Sequence, residues 1–593
     1  MTKNLILWDL ERKLEFTSDY TILWNSFSEN KEKKIFSINN LIGKKEDYYK
    51  GKILNFVSSI KDISINKKNV NDLMKINQDF SFWWFSKIYE KCNEIKTPEL
   101  NDLVKVFALE DFLEKKKIQK IKIFTTNSNL IEYLELFAQK KKITLFFESK
   151  KRKKYKSINF FCEGIATILI NFLKNIFFVK KKLSWMKNYN LYLSYFSQNK
   201  KNFISKNFNQ EIFWNNILKL ENKNNLIVMI PDDNISILNK FFLSSKINNQ
   251  KKNKNFYISI YNFLDINILI KSIALYLKHF WKLKKIISNN FFLKNKNPYL
   301  ILMKEKFLDD IIGKNIAISI LHYLIFEKIF NSINNPKKII FLQEYQSWER
   351  ILIFLSKKKF NINTFGYAHS SIRFWDLRYF NSFKDLNQNK IALKKISPDV
   401  ILVNSRYQKK VIHKNSISSI KICESSRYLN YKFKKNIKLR NNSNSILVIF
   451  DGLKKQDIYL IDFLNKVYEK LEKKYIFICK IHHLTDLRIL KKIKFNHKIE
   501  TKPLYDIKKN FKFICLGPGT SAAIDLAFLK IKFVTLLNPN TMNLSPVKNE
   551  NFTFIRNVSE FIHYFNKPNQ IKVKKINFIN INQKLNEWKK IIA

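Results

Sequence analysis

The sequence predicts an α/β protein in which two Rossmann-like parallel-sheet domains face a cleft, with amphipathic helices inserted in the N-terminal half. Three observations carry this. Apolar strand-like runs alternate with amphipathic helix-like segments, the grammar of parallel βαβ units. A polar, low-complexity stretch, "KKNIKLRNNSNS" (434–445), breaks the pattern once, and the pattern then restarts. At 593 residues the chain also exceeds what a single core serves.

The elements follow in order. Residues 119–148 read strand, turn, amphipathic helix, strand. Residues 337–370 repeat strand, helix, strand; 398–412 read as a strand leading into a helix, and 419–429 contain another strand. Beyond the polar stretch, 446–471, 475–483 and 511–537 restart the βα alternation. The expected division is therefore an N-terminal Rossmann-like domain over 1–433, a linker over 434–445 and a C-terminal Rossmann-like domain over 446–593. Two segments fall outside the sheet grammar. In 157–179 the polar positions Asn159, Glu163, Thr167, Asn171 and Lys174 or Asn175 form one helical stripe opposite a broad apolar face. "KKRKKYK" precedes it and "KKK" follows, with Trp185 close by. Residues 268–287 repeat the design with Lys271, Lys278, Lys282 and Lys285 on one side. Both are expected to lie at an anionic membrane surface, to which their basic flanks would be drawn; for the first a buried core helix is the alternative, while spanning is disfavoured because Glu163, Asn171 and Lys174 would be costly inside a bilayer.

An apolar fraction of 46% and a mean hydropathy of −0.27 are those of a soluble globular chain. Phe (53), Lys, Asn and Ile are abundant while Gly numbers only eight, the mark of AT-rich codon usage. The formal charge of +59 favours anionic ligands and surfaces, although scattered solvated lysines account for much of it. No recognised nucleic-acid motif is present, and no nucleic-acid partner is expected. The five cysteines show no metal-binding spacing; four lie within apolar runs, which fits buried reduced thiols. The N-terminus meets acidic residues too early for a signal peptide, so the expected location is cytoplasmic, peripheral on the inner face of the plasma membrane.

The chemistry concentrates at strand ends. In "CLGPGTSAAIDLAFLKIKFV" (515–534), Gly517 and Gly519 allow a sharp turn and close backbone approach. Thr520 and Ser521 then open a helix, where an anion is favoured and where the hydroxyls either cap the helix or meet phosphate. Asp525, one turn inward, is placed to accept from a ribose or sugar hydroxyl. The formal match to G-x-G-x-x-A fails on context: no acidic residue follows the next strand, and no Walker loop exists, so nicotinamide and ATPase chemistry are poor readings. "FICKIHHL" places Lys480, His482 and His483 at the end of another strand, where phosphate contacts outweigh a metal pair that lacks a third ligand. In the first half, His369 follows a strand, with Arg373 and Asp376 in the polar segment after it, and Glu344 ends a neighbouring strand. His369, with Glu344 in reserve, is placed to act as general base for an acceptor hydroxyl. No D-x-D run occurs, which argues against a transferase that grips a nucleotide-activated sugar through a divalent metal; no metal and no cofactor is expected.

With these strings assembled ("EYQSWERILI", "HSSIRFWDLRYF", "PDVILVNS", "GPGTSAAIDLA" and "LNPNTMNLSPV"), the chain resembles glycosyltransferases of the two-Rossmann (GT-B) kind. More narrowly it is similar to a bacterial family of surface carbohydrate (O-antigen-type) biosynthesis proteins. A more distant likeness is to CDP-glycerol glycerophosphotransferases and bacterial sialyl- or polysialyltransferases. Those carry a histidine after a first-domain strand, a Lys-Pro-His-Pro loop and a Ser-Ser-x-x-x-Asp helix start. His369 matches the first, Lys480 and His482 half of the second, and Thr520, Ser521 and Asp525 the third. Lys530 and Lys532 stand where many GT-B enzymes have Gly and then Pro. The resemblance implies transfer of a sugar from a nucleotide-activated donor, held by 446–593, to a lipid-linked or polysaccharide acceptor presented by 1–433. A CDP-linked polyol-phosphate or CMP-sialic-acid-type transfer, or a non-catalytic role in glycan assembly or nucleic-acid binding, remain the alternatives.

Overall fold

The computed structural model describes residues 3–593 except 11–13, 15–17, 66–67, 78–79, 148–156, 179–182, 184, 197–212, 222, 232–235, 251–252, 285–296, 430–436, 483 and 575–577. Its α/β character is carried by three wholly parallel sheets. In the second, the strands stand in the order Asn255–Ser259, Asn224–Pro231, Tyr189–Phe196, Ile339–Leu342, Thr364–Ala368, Val400–Val403, Ser419–Ile422. In the third the order is His497–Glu500, Ile476–Lys480, Ser445–Ile449, Phe513–Leu516, Val534–Leu536, Thr553–Ile555. By chain order both read 3-2-1-4-5-6, the doubly wound arrangement, with a seventh strand added to the second sheet. Strands Ile339–Leu342 and Val400–Val403 are apolar and buried at every residue, the pattern of parallel strands covered on both faces.

A further parallel sheet precedes these two, with Ile35–Ser37, Tyr20–Leu23, Asn4–Trp8, Lys120–Phe124 and Thr144–Phe147 side by side. It again reads 3-2-1-4-5, and it contains the strand–helix–strand unit predicted over 119–148, whose helix is Ser128–Lys141. The linker segment is not wholly free-standing. Lys438–Leu439 pairs with Asn510–Phe511 beside the third sheet, and 430–436 lie outside the described residues. The last helix, Asn586–Ile592, expected with the donor domain, packs on the second sheet's unit. There the Trp588 ring donates through Nε1 to Glu424 O at 2.7 Å and meets Tyr367 edge-on at 5.0 Å.

In a doubly wound sheet, ligands gather beyond the carboxyl ends of the first and fourth strands, where the connections diverge. Here those ends are Phe196 and Leu342 in the second sheet, and Ile449 and Leu516 in the third. Glu344 lies just past one of them and the Gly517–Gly519 turn just past another.

Candidate functional site

The third sheet supplies one wall. After Ser445–Ile449 the chain turns through Asp451 and Gly452, and after Phe513–Leu516 through Gly517-Pro518-Gly519. The two turns are tied together: Gly519 N–H donates to Asp451 Oδ2 at 2.9 Å, and a Cβ on Gly517 would lie 2.5 Å from Asp451 Oδ1. Glycine at 517 is thus required by the carboxylate beside it. Gly452 has φ +82, and a Cβ there would strike the His482 ring at 2.3 Å from Nδ1. Asp457, on the following helix Lys454–Tyr468, fixes this turn by accepting from Asp451 N at 2.9 Å and from Gly452 N at 3.2 Å. Its carboxylate also accepts from Thr485 Oγ1 at 3.2 Å, and Thr485 Oγ1 accepts from His482 N at 3.2 Å. Burial pushes the Asp451 carboxyl up to about 7; the Gly519 N–H counters that shift, and Asp457 adds to it.

The Gly517–Gly519 turn differs from the simple phosphate cradle expected. Gly519 N–H is committed to Asp451, and Gly517 N–H donates to Ile449 O at 2.9 Å. Among the described residues, the donors at its tip include the backbone N–H groups of Thr520 and Ser521 and their hydroxyls, that of Ser521 standing 3.3 Å from the Ser371 hydroxyl. Thr520 Oγ1 accepts from Ala522 N at 3.4 Å, and Ser521 makes no capping hydrogen bond through its side chain. The helix they open, Ala522–Phe528, buries Asp525 on its inner face. Lys480 ends its strand half-buried, Nζ 2.9 Å from Ile481 O, and burial lowers its pKa. His482 is half-buried against Gly452, while His483 lies outside the described residues. Lys530 and Lys532 have structural duties. Lys530 takes the left-handed position, φ +55, that closes the helix, and Lys532 Nζ donates to the carbonyls of Pro568 and Asn569.

The second sheet supplies the opposite wall. His369 follows Thr364–Ala368 and Glu344 follows Ile339–Leu342, on adjacent strands, which brings His369 Nε2 3.8 Å from Glu344 Oε1. Phe213 packs edge-on against the imidazole at 4.7 Å. Glu344 also accepts from Gln346 Nε2 at 2.9 Å and lies 3.7 Å from Arg378 Nη1. Behind it Glu349 accepts from Glu344 N at 3.0 Å; burial first, and then the neighbouring Glu344 charge, push its carboxyl up to about 8. Asp376 is buried and held by Arg378 through two parallel bonds of 2.8 Å. Burial would raise its pKa, but Arg378 draws it below the usual range.

Both walls meet at one place. Arg373 Nη2 donates to Gly519 O at 2.7 Å, Ser371 and Ser521 hydroxyls stand 3.3 Å apart, and Arg373 Nη1 pairs with Glu94 Oε2 at 2.8 Å. Glu94 arrives from the N-terminal unit, which also reaches the third through Asn39 Nδ2 and Lys105 Nζ, both on Pro539 O. Arg373 therefore binds three units at the Gly517–Gly519 turn. Sequence reasoning missed Asp451, Asp457, Glu94 and Glu349. "FDG" at a strand end was a readable signal for Asp451; Glu94 offered none, because its partner is 279 residues away.

No family model matches the chain. Among solved structures, the crystal structure of TarM is similar at 12% identity, covering 65% of this chain and 92% of that one with a TM-score of 0.34. Arabidopsis thaliana UGT89C1 complexed with UDP-L-rhamnose is similar at 10% identity over 65% of this chain and 90% of that one, TM-score 0.34. CalG4, the calicheamicin glycosyltransferase, is similar at 7% identity over 69% and 94%, TM-score 0.33. Among curated proteins, Protein Ycf2 of Physcomitrium patens is 25% identical over 512 residues. That match takes in 78% of this chain and 21% of the relative, so the chain spans about a fifth of the relative's length.

Proposed function

We propose that the protein is a GT-B-type glycosyltransferase that moves a sugar from a nucleotide-activated donor to an acceptor hydroxyl in the cleft between the second and third sheets. The observation that carries this is the meeting of the two walls: Ser371 beside Ser521 and Arg373 on Gly519 O, two and four residues from His369. A candidate base and a candidate phosphate turn thereby belong to segments that meet at one junction.

In this reading the donor's phosphates lie against the N–H groups and hydroxyls of Thr520 and Ser521, with Lys480 and His482 nearby and Asp525 orienting ribose or sugar. The His369 imidazole takes the acceptor's hydroxyl proton, and the freed oxygen attacks the anomeric carbon. The bond from that carbon to the phosphate oxygen breaks, and the nucleotide leaves with the electron pair. Glu344, 3.8 Å from His369 Nε2, stabilises the imidazolium so formed. No metal or cofactor is invoked. The acceptor is lipid-linked or a surface polysaccharide, and the protein works peripherally on the inner face of the membrane.

A thermal-shift panel of CMP, CDP, UDP, GDP and TDP identifies the donor's nucleotide, since a ligand that binds only the folded state raises its melting temperature. With the matching sugar nucleotide, His369→Ala is expected to lower transfer by ~100-fold or more while nucleotide binding persists. Full transfer by that variant overturns the assignment of the base. Stabilisation by CMP or CDP alone favours polyol-phosphate or sialyl transfer.

A further inference from the structure

Three helices of the second sheet's unit turn apolar side chains outward. In Ser157–Asn175 the apolar face is split. Phe160, Gly164, Ile168 and Phe172 are buried against neighbouring helices, where Gly164 admits Tyr276 so closely that a Cβ would lie 2.0 Å from its hydroxyl. Ile158, Cys162, Ala166, Leu169, Leu173 and the following Ile176, spaced by three or four, form a second stripe that faces outward. A helix apolar on both faces needs a cover on each.

The packed neighbour Ile266–Lys284 does the same with Ile266, Ile270, Ala274 and Trp281. Ring contacts from Phe161 to Phe280 at 4.4 Å and to Tyr276 at 6.0 Å join the two helices. The third helix, Ile237–Asn248, was not anticipated from the sequence. It presents Ile237, Leu238, Phe241 and Phe242, and is fastened to the end of the first by Phe177 against Phe241 at 5.8 Å and Lys240 Nζ on Asn175 Oδ1 at 3.2 Å. Leu173 and Trp281 are each 62% exposed and Phe241 51%, too much for groups that merely edge a core. Exposed Lys174 lies beside the first stripe, and Lys271 and Lys278 lie beside the second. Among the described residues no helix is long and apolar enough to cross a membrane.

We infer that these three stripes form one docking surface for an anionic lipid bilayer, the apolar side chains entering the headgroup boundary while Lys174, Lys271 and Lys278 meet lipid phosphates. Charge complementarity selects this occupant: two of the three apolar rows are bordered by exposed lysines, and Glu163 beside the first is offset by Lys314 at 3.8 Å, which on a chain of formal charge +59 matches a negatively charged interface. The inference deepens the peripheral-attachment part of the proposed function and stands independently of the transfer chemistry. The basic runs at 150–156 and 180–182 lie outside the described residues and are not needed for it.

The test is co-sedimentation of the full chain with phosphatidylcholine vesicles, with and without phosphatidylglycerol. Wild type is expected to bind the phosphatidylglycerol vesicles, and Leu173→Gln/Phe241→Gln/Trp281→Gln to bind them at least ~10-fold more weakly. Lys271→Gln/Lys278→Gln is expected to lower binding only where phosphatidylglycerol is present. An unchanged melting temperature and retained nucleotide-induced shift in the triple variant establish that the fold and donor site are intact, which separates failure here from failure of the transferase reading. Equal binding by wild type and triple variant, or no binding by wild type, overturns the inference. So does a concentration-dependent dimer, seen by sedimentation equilibrium, that the triple variant abolishes, because the cover is then a second copy.

Discussion

Arg373→Ala is the perturbation that probes the junction of the three units most sharply. The side chain is 16% exposed and its partner Glu94 12%, and Arg373 makes two charge-assisted bonds, of 2.8 Å to Glu94 and 2.7 Å to Gly519 O. Removing one member of such a shielded pair leaves the other charge without compensation, a loss of about 3 kcal/mol. Glu94 would then stand uncompensated near Asp451, whose pKa Arg373 lowers and Glu94 raises. For domains of this size that is a fall in melting temperature of about 6–12 °C, at ~2–4 °C per kcal/mol. The assay is thermal unfolding of the full chain followed by circular dichroism. Adding Glu94→Gln removes the stranded charge and should recover about half of the loss. A double variant that melts with the single one, or a single variant that melts with wild type, would refute the reasoning.

Further predictions concern the buried acids and a helix end. Glu349 has a folded-state pKa of about 8 against an ordinary 4.5, so the unfolded chain releases this proton first and stability falls as pH rises from about 4.5 to about 8. At ~1.4 kcal/mol per pH unit the effect reaches up to about 5 kcal/mol, and Glu349→Gln should melt increasingly above wild type between pH 5 and pH 8; a gap independent of pH contradicts this. Glu90, held down to about 2 against its burial by Lys87 and Lys96, acts oppositely. Its stabilisation is present above about pH 4.5 and lost as pH falls toward 2, and Glu90→Gln should flatten the acid limb of a pH melt series. Lys530→Gly, at φ +55, should stabilise by about 0.5–1 kcal/mol, read as a higher melting temperature; a lower one would show that Lys530 contributes contacts beyond the turn.

The parallel units were legible wherever a strand is an unbroken apolar run followed by a helix start. "IIFL", "VILV" and "FICL" are buried at every residue and stand where periodicity put them. The N-terminal sheet was less so. Its second and third strands have only four and three residues, too short to show a period among polar neighbours. Site residues at strand ends could be read as positions but not as partners. His369 and Glu344 became neighbours because their strands are adjacent, and Gly517 acquired its reason only beside Asp451. The amphipathic helices were visible as periodicity. Which apolar residues face the protein and which face outward depends on tertiary packing, so the division of Ser157–Asn175 into two apolar faces could not be read from its sequence.

The central claim is that donor phosphates lie against Thr520 and Ser521 while His369 serves the acceptor. Its most direct test is calorimetric titration of the best nucleotide from the panel into wild type, Thr520→Ala/Ser521→Ala and His369→Ala. The account predicts that the first variant loses at least ~10-fold in affinity, about 1.4 kcal/mol, through two lost hydroxyl donors, while His369→Ala binds as wild type does. Wild-type affinity in Thr520→Ala/Ser521→Ala, or a loss confined to His369→Ala, would contradict it.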